Sequence, residues 1–169
     1  MSGFGAPLPP APAGQRVRVF VDADACPVKP ECFRVASRYR LQVFVVSNSL
    51  MAVPPDPLVE RVVVEAGPDV ADDWIAERAA RGDVVVTSDV PLAARCVRNG
   101  AEVLRPNGRS FDGDSIGMAL ATRNLMDDLR SQGQMTGGPR PFGAKERSAF
   151  LSALDNAVVR LRRLGFAAG

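Results

Sequence analysis

Histidine is absent from all 169 residues of this chain. This absence excludes Ser-His-Asp triads, Cys-His proteases, HExxH zinc sites and histidine general bases together. The three cysteines form no C-x-x-C pair, which argues against a disulfide framework and against structural zinc. Any chemistry must therefore use carboxylates, cysteine, lysine, arginine or hydroxyl groups.

The chain also lacks an apolar run of about 20 residues, the length that a membrane-spanning helix needs. Its first residues, MSGFGAPLPPAPAGQR, have neither a basic start nor a hydrophobic centre, so we expect no secretory signal and a cytoplasmic location without membrane association. The proline and glycine content of residues 1–15 predicts a disordered tail, with the fold beginning near Arg16.

Five short runs rich in valine predict β-strands. Their nearly continuous apolar character indicates burial on both faces, as in a parallel sheet covered by helices. Helical patterns fill most of the gaps between them, which predicts a single α/β domain over residues 16–131. The runs are VRVFV (17–21), LQVFVV (41–46), RVVVE (61–65), DVVVT (83–87) and EVL (102–104).

Capping signals set the expected helix bounds. Pro27 suits the first turn of a helix that ends near Tyr39, and Asp69 could cap a second helix over 70–81. PLAARCVRNG predicts a third helix, and an apolar stripe from Asp114 onward predicts a fourth.

A flexible linker is expected over 132–143, followed by a C-terminal extension over 144–169 that is mostly helical. The stripe on this last helix, Phe150, Leu154, Val158 and Leu161, must be buried. It could pack on the sheet or against another subunit, as in a homodimer.

Carboxylates follow three of the five predicted strands. Asp22 and Asp24 end the first strand, Asp72 and Asp73 come after the third, and Asp89 comes after the fourth. Because ligands bind beyond the carboxyl ends of parallel strands, we expect these acids to gather at one edge of the sheet. Hard divalent ions such as Mg²⁺ or Mn²⁺ would neutralise them, and such a site supports phosphoester hydrolysis through an activated water.

Structural explanations compete with this hypothesis. Asp72 and Asp73 lie in a first helical turn, where acids favour the helix dipole, and Asp89 could simply cap the next helix. Asp22 and Asp24 are harder to explain in that way, because Pro27 at the first helical position would make Cys26 the cap. Polar residues near the strand ends are candidates for binding a substrate phosphate, although each could be plain surface or turn structure: Lys29, Asn48, Ser88, Asn107, Arg109 and Arg140.

Four motifs resemble those of the YaiI/YqxD family of uncharacterised bacterial proteins, which is grouped with PIN-like nuclease folds. They are VDADACPVK, ADDWIAERA, VVTSDVPLA and PFGAKERSAF, and they occur in family order. The resemblance implies a parallel three-layer α/β/α sandwich whose acids bind Mg²⁺ or Mn²⁺ and cleave RNA. Carried onto this chain, it points to Asp22 with Asp24, Asp72 or Asp73, and Asp89. The tight DADACP turn and the C-terminal helix depart from typical PIN domains.

Two further hypotheses remain open. DADAC resembles the D-x-D-x-[TV] signature of haloacid-dehalogenase-like phosphatases, in which Asp22 would form an aspartyl phosphate and Asp24 would act as acid and base. Cys26 replaces the usual Thr or Val, and the predicted helix at Pro27 leaves no room for an inserted flap. Alternatively, the chain is a non-catalytic adaptor for RNA or protein, since a fold does not establish an activity.

Overall fold

The computed structural model describes residues 11–131 and 142–167, and the side chains of all of these except 123–131. Residues 1–10 of the predicted tail, residues 132–141 of the predicted linker, and Arg140 with them, lie outside the described residues. Residues 11–15 belong to the fold, since the amide of Ala11 donates to the carbonyl of Leu164 at 3.0 Å. Among the described residues, no helix is long and apolar enough to cross a membrane.

Six strands form one sheet in the order β3-β2-β1-β4-β5-β6. Every neighbouring pair is parallel except β5 with β6, which are antiparallel. The five predicted strands are all present, whereas β6 was not predicted because it has two residues and no apolar run. The strands are β1 (Arg18–Asp22), β2 (Gln42–Ser47), β3 (Val59–Val63), β4 (Asp83–Val86), β5 (Glu102–Leu104) and β6 (Ser110–Phe111).

Helices cover both faces of the sheet, which makes a three-layer α/β/α arrangement. One hydrophobic cluster joins the sheet to α1 and α5, and the other joins it to α2 and α3, with α4 packed alongside. The described helices are α1 (Lys29–Tyr39), α2 (Val70–Arg78), α3 (Val90–Arg98), α4 (Gly113–Ser131) and α5 (Ala144–Arg163).

The stripe on α5 is buried in the chain's own core. Phe150, Leu154 and Val158 have no exposed surface, and Leu161 is 3% exposed. They pack in the same cluster as residues of α1 and of the sheet, so this apolar face needs no second subunit to cover it.

The predicted start of α1 is wrong, whereas α2 begins at Val70 as predicted but without the expected side-chain cap. Residues 23–25 form a 3₁₀ turn after β1, and α1 begins only at Lys29 with Val28 at the N-cap, so neither Pro27 nor Cys26 has its predicted position. Asp69 does precede α2, but its backbone is left-handed with φ of 68° and its side chain makes no cap hydrogen bond. The side chains of Cys26 and Asp69 therefore cap neither helix.

Candidate metal and phosphate site at the carboxyl edge of the sheet

The sheet changes direction between β1 and β4. From β1 the chain moves outward through β2 to β3, and then α2 carries it back across to β4 on the other side of β1. At such a switch point the loops that follow the two adjacent strands diverge and leave a crevice, the usual ligand site of open α/β sheets. Asp22 ends β1 and Asp89 follows β4, so the crevice lies between these two acids.

Thr87 connects the two acidic loops. Its hydroxyl donates to Oδ2 of Asp22 at 2.8 Å and accepts from the amide of Asp89 at 3.0 Å. Thr87 is 2% exposed, so its two hydrogen bonds satisfy a buried polar group. This arrangement holds Asp22 towards β4, on the same side as Asp89. A threonine at the end of the otherwise apolar run DVVVT is the sequence feature that marks this residue.

Asp24 turns the opposite way, towards β2. Its Oδ1 accepts from the hydroxyl of Ser47 at 2.6 Å, and its Oδ2 accepts from the amide of Asn48 at 3.1 Å. The two carboxylates of the DAD sequence therefore lie on different sides of β1. Both oxygens of Asp24 already stabilise the end of β2, which gives no support to a phosphatase in which Asp24 is the acid and base.

Asp89 has two roles. Its Oδ1 accepts from the amide of Leu92 at 2.8 Å, which makes it the N-cap of α3 as the structural explanation predicted. It also lines a pocket of about 380 Å³ together with Asp22, Ala25, Ser88 and Val90. Capping uses Oδ1, and no hydrogen bond to the other carboxylate oxygen occurs within the described residues.

Asp72 and Asp73 differ sharply although they are adjacent on α2. Asp73 forms an exposed ion pair with Arg95, with 2.7 Å between Oδ1 and Nη1. Asp72 makes no hydrogen bond within the described part of the chain, and burial, followed by the charges of Asp89, Asp22 and Asp69, raises its pKa to about 6. Asp72 is therefore the acid of this pair that faces the carboxyl edge.

The electrostatics of Asp22 agree with this grouping. Burial raises its pKa, the hydrogen bond from Thr87 lowers it, and the charges of Asp89 and then Asp24 raise it further. The charge of Asp89 thus opposes the ionisation of both Asp22 and Asp72, and no arginine or lysine in the described residues forms an ion pair with any of the three. These three residues are called the acidic group below.

The donor set suits a hard cation in kind, since it consists of carboxylate oxygens. Over residues 11–122 and 142–167, however, no three acidic or cysteine side chains are placed closely enough to hold a metal ion between them. Mg²⁺ usually keeps several waters and binds through one or two carboxylates plus substrate phosphates. Asp22 and Asp89 line the same pocket and are the two carboxylates that such an ion would use.

The predicted phosphate contacts are dispersed. Ser88 lines the acidic pocket. Lys29 donates to the carbonyls of Ala23 and Cys26 at 3.0 and 2.8 Å and so stabilises the 3₁₀ turn, while Asn107 accepts from the amide of Arg109 within its own turn. The amide of Asn48 binds Asp24 as described above, and its side chain is exposed, as is that of Arg109. Ser88 is the one described member of the set that reaches the acidic pocket.

Comparison with known proteins identifies the family. The family model described as "Uncharacterized BCR, YaiI/YqxD family" matches residues 20–160. The chain belongs to the YaiI/YqxD family. A UPF0178 protein of Azorhizobium caulinodans is 65% identical over 150 residues, covering 89% of this chain and 94% of that protein. UPF0178 proteins of Rhodopseudomonas palustris and Bradyrhizobium diazoefficiens are 62% and 61% identical, each over 86% of this chain and over 94% and 87% of their own lengths.

No solved structure was found to match this member of the YaiI/YqxD family significantly. The matched span of 20–160 includes the whole acidic group together with α5 up to Arg160. Most of the α5 helix is therefore part of the sequence that the family model covers.

Proposed function

We propose that this YaiI/YqxD protein is a divalent-metal-dependent hydrolase of phosphodiester bonds, with RNA as its substrate. The observation that carries the proposal is the acidic group at the switch point, where burial, followed by the charge of Asp89, raises the pKa of Asp22 and Asp72. Structural stability alone would favour a neutral or paired side chain at such positions. Mg²⁺ or Mn²⁺, bound together with a substrate phosphate, would offset the repulsion between the carboxylates of the acidic group.

The proposed roles follow from the hydrogen bonds. Asp22 and Asp89 would hold the ion, because Thr87 orients the first and the α3 cap orients the second. Asp72 would act from α2 through a water of the ion, since no three acidic side chains of the described residues lie close enough to hold one ion directly. A bound ion of this kind lowers the pKa of an attacking water and stabilises the leaving oxygen. Ser88, in the same pocket, would donate its hydroxyl to the phosphate.

Cleavage of labelled single-stranded RNA tests the proposal. We expect cleavage that requires Mn²⁺ or Mg²⁺ and stops with EDTA, and we expect Asp22→Asn and Asp89→Asn each to lower the rate by about 100-fold or more. Glu60→Gln, an exposed acid on β3, is the matched control and should cleave at the wild-type rate. Equal cleavage by wild type and Asp22→Asn would reveal a contaminating nuclease and contradict the proposal.

A non-catalytic RNA-binding adaptor is the second candidate. It is favoured by the lack of a three-carboxylate metal group among the described residues and by the structural hydrogen bonds of Asp22, Asp24 and Asp89. An adaptor would bind the same RNA without cleaving it at any Mn²⁺ concentration. In that case Asp22→Asn should raise RNA affinity, because it removes a negative charge from the surface that meets the backbone.

A further inference from the structure

A second pocket adjoins the acidic one. It has a volume of about 500 Å³ and lies between α3, α4 and the turn that joins β5 to β6. Ser88 and Val90 line both pockets, so the two are adjacent. Its volume falls within the range of about 300 to 1,000 Å³ that is common for small-molecule sites. This second pocket is called the α4 groove below.

Arg105 is the charged residue of the α4 groove. It directly follows β5, at the same edge of the sheet as Asp22 and Asp89, and its guanidinium carbon lies 4.2 Å from the centre of the Phe111 ring. Its Nε is buried without a hydrogen-bond partner, and within the described residues its side chain has no ion-pair partner either. Burial, and then the charge of Arg109, lowers its pKa.

The backbone fixes Arg105 in this place. Its amide donates to the carbonyl of Arg109 at 2.8 Å, and its carbonyl accepts from the amide of Gly108 at 2.9 Å. Gly108 has a φ of +89°, and a Cβ there would come within 2.7 Å of the carbonyl oxygen of Ala149 on α5. The turn is thus closed by its own hydrogen bonds and held against α5.

Arg105 in one pocket and the acids Asp22 and Asp89 in the other therefore lie in adjoining pockets without forming an ion pair with each other. A ligand that presents both a metal ion and an adjacent phosphate would satisfy the two at once. The rest of the α4 groove offers apolar surface, including Met118, which is 73% exposed, and the hydroxyl-bearing residues Ser88 and Thr122. Apolar surface for a base beside an arginine for a phosphate is the combination that binds single-stranded nucleic acid.

We propose that the α4 groove binds the nucleotide next to the scissile phosphodiester of a single-stranded RNA, with Arg105 on a backbone phosphate and Met118 against the base. This inference rests on the proposed function for the identity of its ligand. It adds a binding residue that the sequence reasoning missed, although an arginine immediately after a strand in RPNG was a usable signal.

Fluorescence anisotropy with a short labelled single-stranded RNA tests the inference in EDTA at low salt, where binding is measured without cleavage. We expect Arg105→Gln to weaken binding about tenfold or more, because charge-assisted hydrogen bonds are lost. Met118→Asp should weaken it about fivefold or more through lost apolar contact with the base and added repulsion of the phosphate backbone. Arg98→Gln removes the same charge from an exposed site at the far end of α3 and should bind within about twofold of wild type.

Thermal unfolding of each variant accompanies these measurements. If Arg105→Gln does not fold, Met118→Asp decides the result, since Met118 is exposed and its replacement leaves the core intact. Wild-type affinity in both folded variants, or no RNA binding by the wild type, would overturn the inference. RNA binding that depends on Arg105, without cleavage in Mn²⁺, would contradict the proposed hydrolase but support RNA binding in the α4 groove. Cleavage that depends on Asp22 but not on Arg105 or Met118 would support the hydrolase and contradict RNA binding in the α4 groove.

Discussion

Strands β1 and β4 lie side by side, and their two ends treat aspartate in opposite ways. At the amino end, Asp83 has no exposed surface and accepts two hydrogen bonds from Arg18, at 3.0 and 2.9 Å, and one from the amide of Ala80 at 2.9 Å. At the carboxyl end, Asp22 accepts one hydrogen bond from Thr87 and faces other acids.

Burial raises the pKa of both aspartates, but only Asp83 has a cation to oppose that effect. Arg18 and Asp83 are register partners across the two strands, so their pairing is set by the sheet itself. This difference indicates that the fold can pair a strand-end aspartate with a cation where that aspartate serves stability alone. The carboxyl end is left uncompensated, and there the proposed cation would take the part that Arg18 has at the other end.

Breaking the neutralised end should have the largest effect on stability. Asp83→Asn places an amide group against the guanidinium of Arg18 and removes the charge that satisfies it. We expect the free energy of unfolding to fall by about 2 to 3 kcal/mol, measured by urea denaturation. Asp22→Asn is the matched variant at the other end and should cost little or nothing, since its amide oxygen can still accept from Thr87. Equal losses in the two variants would contradict the comparison.

Substitutions at Asp89 can separate the effect of its N-cap hydrogen bond from the effect of its negative charge. Asn is as good an N-cap as Asp, so Asp89→Asn should keep the bond to the Leu92 amide while removing the negative charge. Asp89→Ala loses both and should be less stable than Asp89→Asn by about 1 kcal/mol in urea denaturation. RNA cleavage should be lost in both variants. Cleavage that survives in Asp89→Asn would show that Asp89 acts through its cap alone.

Asp72 should show a pH-dependent cost. Its pKa of about 6 in the folded protein lies above the usual 3.8, so folding favours the neutral carboxyl group. The stability associated with the neutral group is fully present below pH 3.8 and is lost as the group ionises and the pH rises through 6. Because the side chain is partly exposed, solvent screening reduces the effect, and we expect Asp72→Asn to be more stable than wild type by about 0.5 to 1 kcal/mol at pH 7.5. The difference should shrink at pH 5. Parallel stability curves of the two proteins between pH 5 and 7.5 would rule out the repulsion.

Asp73 should show the smallest effect. Its pair with Arg95 is exposed, and we expect Asp73→Asn to change the free energy of unfolding by less than about 0.5 kcal/mol. RNA cleavage should stay near the wild-type rate in Asp73→Asn and fall in Asp72→Asn, measured side by side. A loss of cleavage in Asp73→Asn instead would assign the ligand role to the other acid of the pair.

Much of the fold followed from residue patterns. The valine-rich runs predicted the parallel strands; β1, β2 and β4 are buried on both faces as expected, whereas β3 at the edge of the sheet is partly exposed. The stripe from Phe150 to Leu161 likewise predicted a buried face on α5. What covers that face could not be predicted, because an apolar stripe does not identify its partner; the order of the strands was equally hidden, since it depends on where α2 crosses the sheet.

The sequence predicted which residues form the candidate site better than it predicted their arrangement in space. The sequence identified the acids at the strand ends, but Asp22 and Asp24 separate only because a 3₁₀ turn intervenes before α1. Likewise, Arg95 on another helix determines which of Asp72 and Asp73 is paired. Such choices are made by tertiary contacts, which local sequence does not encode.

The most direct test of the central claim is a crystal of the full chain soaked in Mn²⁺ and measured for anomalous scattering. The account predicts a Mn²⁺ peak within about 2 to 2.5 Å of carboxylate oxygens from at least two members of the acidic group, Asp22 among them. Well-ordered side chains of Asp22, Asp72 and Asp89 with no anomalous peak between them at saturating Mn²⁺ would contradict it.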